Sequence, residues 1–67
     1  MANPEKLINA YIDLFNARRA VDGEPPISPK ELPLYKKVLA VAPLSVLDAG
    51  GWKAEQWAKA AVKQLKQ

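Results

Sequence analysis

Cysteine, histidine and threonine are all missing from this sequence of 67 residues, and each absence removes a class of chemistry. Without Cys there are no disulfides, and without Cys and His the usual zinc ligand sets are gone. Nucleophilic and acid–base catalysis needs a poised nucleophile beside a base, yet only Ser28 and Ser45 supply aliphatic hydroxyls. Both stand where a helix N-cap is wanted, so capping is the expected role. The seven carboxylates are scattered singly, with no Asp-x-Asp run and no EF-hand loop to hold calcium or magnesium. Glycine is scarce, and Gly50-Gly51 ahead of Lys53 is too short for a phosphate loop and follows no strand. The expectation is a protein that is not an enzyme, with no catalytic residue, no metal site and no cofactor.

Long apolar runs are lacking as well. No stretch approaches the roughly 18 apolar residues of a membrane span, and Met1 to Lys6 has neither the basic region nor the apolar core of a signal peptide. Together with the absence of Cys, this leads us to expect a soluble protein of a reducing compartment, the cytoplasm. The excess of positive charge is small, +3, and residues 51–67, with four Lys and one Glu, account for all of it. A surplus of that size suits an acidic partner but falls short of the dense basic stripe of a dedicated nucleic-acid binder.

What is present is apolar and periodic. Hydrophobic residues make up 49% of the chain and charged residues 25%, the composition of a globular protein, and the length allows one domain, residues 1–67. Asn3-Pro4 reads as a helix start, with Asn capping and Pro at the first helical position. From there Leu7, Ile8, Tyr11, Ile12, Leu14, Phe15 and Val21 recur at helical spacing, with Lys6, Asn9, Asp13 and Asn16 opposite. Asp22-Gly23 supplies the stop, giving a first helix over 4–21. The stretch through Pro25-Pro26 is a stiff connector.

Ser28-Pro29-Lys30-Glu31 has capping-box spacing, but Pro33 follows at once, so one turn and then a kink or fresh start is expected. A second helix is predicted over 34–42, with Leu34, Tyr35, Val38, Leu39 and Val41 inward. Pro43 ends it, and Ser45 is placed to cap a short helix or turn over 45–49. The Gly pair marks a sharp corner, a tight backbone approach or a hinge. The last helix, over 52–66, carries Ala54, Trp57, Ala58, Ala61, Val62 and Leu65 on its apolar stripe. No run alternates strictly between hairpin turns. The fold class expected is all-α, a small three-helix bundle with an extra short helix.

Two surfaces are candidates for function. Large apolar side chains are numerous for three short helices, so some should remain at the surface as a patch for a protein partner or a second copy. Trp52, Tyr35, Leu44 and Ile27 lie at corners and element ends and are expected there, with Trp52, displaced from its helix's apolar stripe, as the anchor. The other surface is basic: Arg18, Arg19, Lys53, Lys59, Lys63 and Lys66. Arg18 falls on the face of Leu7, Tyr11 and Leu14, where its charge must escape to solvent or pair, for instance with Asp22. The lysines lie near a helix C-terminus, where the dipole favours them, and Glu55 stands four residues before Lys59 for a weak helical pair. The function expected is a protein-interaction module that binds a protein partner or forms a homo-oligomer; the alternative is a nucleic-acid-binding accessory domain that uses the basic helix.

Overall fold

A computed structural model describes residues 3–67; Met1 and Ala2, included in the single-domain reading, lie outside the described residues. The described residues are all-α, with four helices: α1, Glu5–Val21; α2, Leu32–Ala40; α3, Leu44–Asp48; and α4, Gly51–Leu65. α1, α2 and α4 each pack on the other two, and the short α3 rests on α4. The Cα radius of gyration is 11.1 Å, close to the roughly 11 Å expected of a single compact domain of this length.

α1 ends where Asp22-Gly23 predicts. Gly23 takes a positive φ of 77°, and the N–H groups of Gly23 and Glu24 return to the carbonyls of Ala20 and Arg19 at 3.2 and 2.7 Å. This is the paired closure of a glycine-terminated helix, which satisfies carbonyls that would otherwise be orphaned. The beginning of α1 differs from the sequence reading. Pro4, not Asn3, occupies the N-cap, and no side chain caps it. Asn3 instead crosses to the end of α2, where its Nδ2 donates to the carbonyls of Leu39 and Ala42 at 2.7 and 3.1 Å and its backbone N–H to that of Ala40 at 2.8 Å. The last carbonyls of α2 need donors as much as the first N–H groups of α1 need acceptors, and an Asn amide serves either.

α2 begins two residues earlier than its periodicity suggests, because Pro33 sits in its first turn and does not interrupt it. Proline is tolerated there, since the missing N–H would have had no intrahelical partner. Ser28 organises the turn ahead of the helix: its Oγ accepts from the Glu31 N–H at 3.3 Å. Ser45 caps nothing; Pro43 holds the N-cap of α3 without a side-chain bond. Tyr11 ties α3 to α1 by donating its hydroxyl to the Leu47 carbonyl at 2.9 Å.

The core gathers Ile8, Ile12 and Phe15 of α1, Tyr35, Val38 and Leu39 of α2, Leu47 of α3, and Ala54, Ala58 and Val62 of α4, with Ile27 and Ala42 from the connections. Phe15 and Leu39 are its most fully enclosed large side chains, and the Tyr11 ring tilts against Phe15 at 6.2 Å between centroids. α4 contributes chiefly small residues, which lets its backbone approach the other helices closely but covers less of their surface. Leu14, Val21, Val41, Leu44, Trp52 and Leu65 consequently remain exposed. Leu14, Val21, Val41 and Leu65 were expected inside; Val21, Val41 and Leu65 lie at helix ends, where no neighbouring element reaches over them.

The Gly pair has two separate roles. Gly50, the N-cap of α4, has φ 105° and ψ 162°, a conformation available essentially to glycine alone. Gly51 faces α1: a Cβ there would stand 2.8 Å from Cδ2 of Leu14. One glycine turns the chain and the next admits the approach of α4 to α1.

Candidate functional site

The junction of α1 and α4 forms an open apolar groove. Two depressions of about 400 and 210 Å³ share Leu14 and Gly51; the first is lined further by Ala10, Tyr11 and Gly50, the second by Phe15, Arg18 and Trp52. Leu14 is 47% exposed and Trp52 56%, so two large side chains stand partly out of the surface beside a shallow trough. Arg18 marks the rim, paired with Asp22 at 3.4 Å and open to solvent. The stripe Leu7, Tyr11, Leu14, Arg18 thus runs from partly buried to exposed along α1. The arginine on that stripe was the sequence signal that Leu14 lies at a surface, and reading Leu14 as core missed it.

Three of the four expected partner-binding residues lie outside the groove, and two of them are buried. Ile27 is buried, because the connector folds back on α1 and its N–H is accepted by Oδ1 of Asn16 at 2.9 Å. Tyr35 is only 3% exposed; Arg19 Nη2 donates to its hydroxyl at 3.2 Å, and the guanidinium lies 6.0 Å from the centre of its ring. A tyrosine with its polar end so engaged can be buried at little cost. Leu44 is exposed as expected but lines neither depression of the groove.

The basic residues divide into groups. Arg18 belongs to the groove, and Lys53 is exposed at the start of α4. Arg19, Lys59, Lys63 and Lys66 converge with Tyr35, Glu31, Glu24, Pro25 and Val62 on a cleft of about 470 Å³ between the C-terminal halves of α1 and α4 and the start of α2. Trp52 does not share this cleft, although it projects to the same flank of an ideal helix; the two-turn offset along α4 sets it beside Leu14.

Beneath the cleft lies an ion pair that sequence spacing did not reveal. Glu55 turns away from Lys59 and into the bundle, where its Oε2 meets Nε of Arg19 at 3.5 Å, with the side chains 11% and 15% exposed. Neither atom has a hydrogen-bond partner among the described residues, so each charge answers the other as a nearly buried pair. At the outer edge Lys66 reaches Glu31. The Lys66 hydrogen bond, aided by the charges of Lys66 and Arg19, lowers the Glu31 pKa against the opposing effect of desolvation. Burial raises the pKa of Tyr35, with the carboxylates of Glu31 and Glu55 acting in the same direction against Arg19.

Among the described residues no cluster of three acidic side chains suited to a metal ion forms, and no helix is long and apolar enough to cross a membrane. Compared with protein-family models, with curated proteins and with solved structures, the chain matches none of them.

Proposed function

We propose that this chain is a non-enzymatic protein-interaction module that receives an apolar anchor of a partner protein in the groove between α1 and the start of α4. The observation that carries this reading is the pairing of Leu14 and Trp52, both about half exposed, on a groove formed where Gly51 lets α4 pack closely beside Leu14. A Trp buries up to roughly 250 Å², so covering the exposed half of Trp52 would stabilise association by roughly 3 kcal/mol before the costs of binding are subtracted.

The occupant we favour is an amphipathic segment of another protein, with apolar side chains on Leu14 and Trp52 and an acidic residue at Arg18. Charge supports this choice over a second copy. Each chain carries +3, and a two-fold contact through the same patch would bring the two Arg18 side chains toward one another. The lack of Cys supports a cytoplasmic setting.

The test is selection of peptides from a displayed random library on the full chain. Enriched peptides should combine helically spaced apolar residues with acidic ones, and should bind Trp52→Ala at least about 30-fold more weakly, the equivalent of about 2 kcal/mol. Binding should persist at salt concentrations that screen surface charge. Two results would overturn the reading. One is binding that survives Trp52→Ala but is lost on replacing Lys59, Lys63 and Lys66, with a steep salt dependence, the behaviour of a phosphate-backbone binder. The other is concentration-dependent dimerisation in sedimentation equilibrium that Trp52→Ala abolishes, which would make the occupant a second copy.

A further inference from the structure

The basic cleft is separate from the groove and differs from it in chemistry, since what converges there is an excess of hydrogen-bond donors. Tyr35 accepts from Arg19, and its own O–H has no acceptor among the described residues, although the side chain is almost wholly buried and lines the cleft. Lys59 and Lys63 line the same cleft from successive turns of α4 and belong to none of the ion pairs among the described residues. Lysine has donors only, and the tyrosine hydroxyl has already used its accepting side. The Tyr35 hydroxyl is protonated and able to donate at neutral pH, as a phenol ordinarily is, and burial raises its pKa further.

We infer that this cleft is a binding site for a compact, acceptor-rich anion of the phosphomonoester class, held by the hydroxyl of Tyr35 and the ammonium groups of Lys59 and Lys63. The charge balance favours a compact anion over a polyanion. Glu31 is engaged by Lys66 and Glu55 answers Arg19, so Lys59 and Lys63 are opposed by Glu24 as the remaining carboxylate of the lining. The free balance is about one positive charge, well below the several phosphate contacts with which a nucleic-acid backbone is gripped. Directed hydrogen bonds from α2 and α4 must supply the rest, and a terminal phosphate presents three acceptor oxygens to them. The volume, about 470 Å³, holds a phosphate with a small organic substituent, and Val62 and Pro25 offer that substituent an apolar wall.

The experiment is a titration of the full chain with glycerol 3-phosphate at constant ionic strength, followed residue by residue by NMR. Saturable shifts centred on Tyr35, Lys59 and Lys63 are expected, with dimethyl phosphate, a monoanion, binding more weakly. The double variant Lys59→Gln/Lys63→Gln alters exposed side chains only and should bind at least about tenfold more weakly while melting as the parent does. Tyr35→Phe keeps the ring and should weaken binding by a smaller factor. The inference is overturned if no saturable shift centres on the cleft, if the double variant binds as the parent does, or if a single-stranded oligonucleotide without a terminal phosphate binds the same residues more tightly than glycerol 3-phosphate. The last result would assign the cleft to a nucleic-acid backbone.

Discussion

Phe15 and Trp57 occupy equivalent-looking places in their helical stripes but differ in depth. Phe15 is enclosed on all sides, whereas Trp57 packs on the margin of the core and is half-buried. Removing the Phe15 ring leaves a cavity that the helices cannot fully close, so Phe15→Ala should cost about 3 to 5 kcal/mol. Against the roughly 3 to 10 kcal/mol available to a domain of this length, that change should leave many molecules unfolded. Trp57→Ala should cost roughly half as much, because part of its ring already faces water. Urea denaturation of both variants checks the order; equal losses would show that the Trp57 ring is as deeply packed as Phe15. Periodicity placed both rings on the inward side of their helices. It could not grade them, since depth depends on what the opposing helix supplies.

At the scale of elements, the helices are held together by groups that local reading assigns to their own helix. Asn3 binds the end of α2, Tyr11 the carbonyl of Leu47 in α3, Asn16 the connector at Ile27, and Arg19 the side chains of Tyr35 and Glu55. Each is a contact with another part of the chain made by a residue of α1, or just before it, that a one-dimensional pattern scores only as a cap, a polar face or, for Tyr11, part of the apolar stripe. Asn3→Ala should therefore destabilise the protein by about 1 to 3 kcal/mol through the unsatisfied carbonyls of α2. Amide exchange should quicken in the last turn of α2, with α1 less affected. Ser45→Ala should leave stability within about 0.5 kcal/mol, as the serine is an exposed side chain that caps nothing. Urea midpoints and hydrogen exchange of the two variants decide this, and an exchange effect confined to the first turn of α1 would return Asn3 to the role of a local cap.

For the molecule as a whole, the shifted pKa values of Tyr35 and Glu31 make stability depend on pH at the alkaline and acid ends respectively. The Tyr35 pKa is raised in the folded state, chiefly by burial, so its contribution is complete below the usual tyrosine value of about 10 and is lost as pH rises beyond it. The Glu31 pKa is lowered, chiefly by the Lys66 hydrogen bond; its contribution is present above the usual carboxylate value of about 4 and is lost as pH falls through the folded value. Urea midpoints should accordingly fall as pH rises above about 10 in the parent, and fall less in Tyr35→Phe. On the acid side, Lys66→Ala should flatten the decline below about pH 5, and added salt should do the same, because that contact is exposed to solvent. A parent and a Tyr35→Phe variant with parallel alkaline profiles would show that the hydroxyl gains no protection from burial.

Proline, glycine and helical periodicity act through neighbours along the chain, so residue order alone yields the all-α class and the ends of the three longer helices to within about two residues. That large side chains outnumber what three short helices can enclose was likewise readable, with Trp52 among the candidates for the uncovered surface. Which of the other large side chains stayed outside was decided by tertiary structure. Gly51 admits α4 beside Leu14, leaving Leu14 at the rim of a groove; the folded-back connector buries Ile27; and Arg19 satisfies the hydroxyl that lets Tyr35 enter the core. The basic cleft was legible in the sequence only as a strip of lysines on α4. Its Tyr35 and Arg19 come from two other helices, and the convergence of donors across that distance arises only when the three helices pack, since pairing energies at such range depend on burial and geometry that no spacing along the chain records.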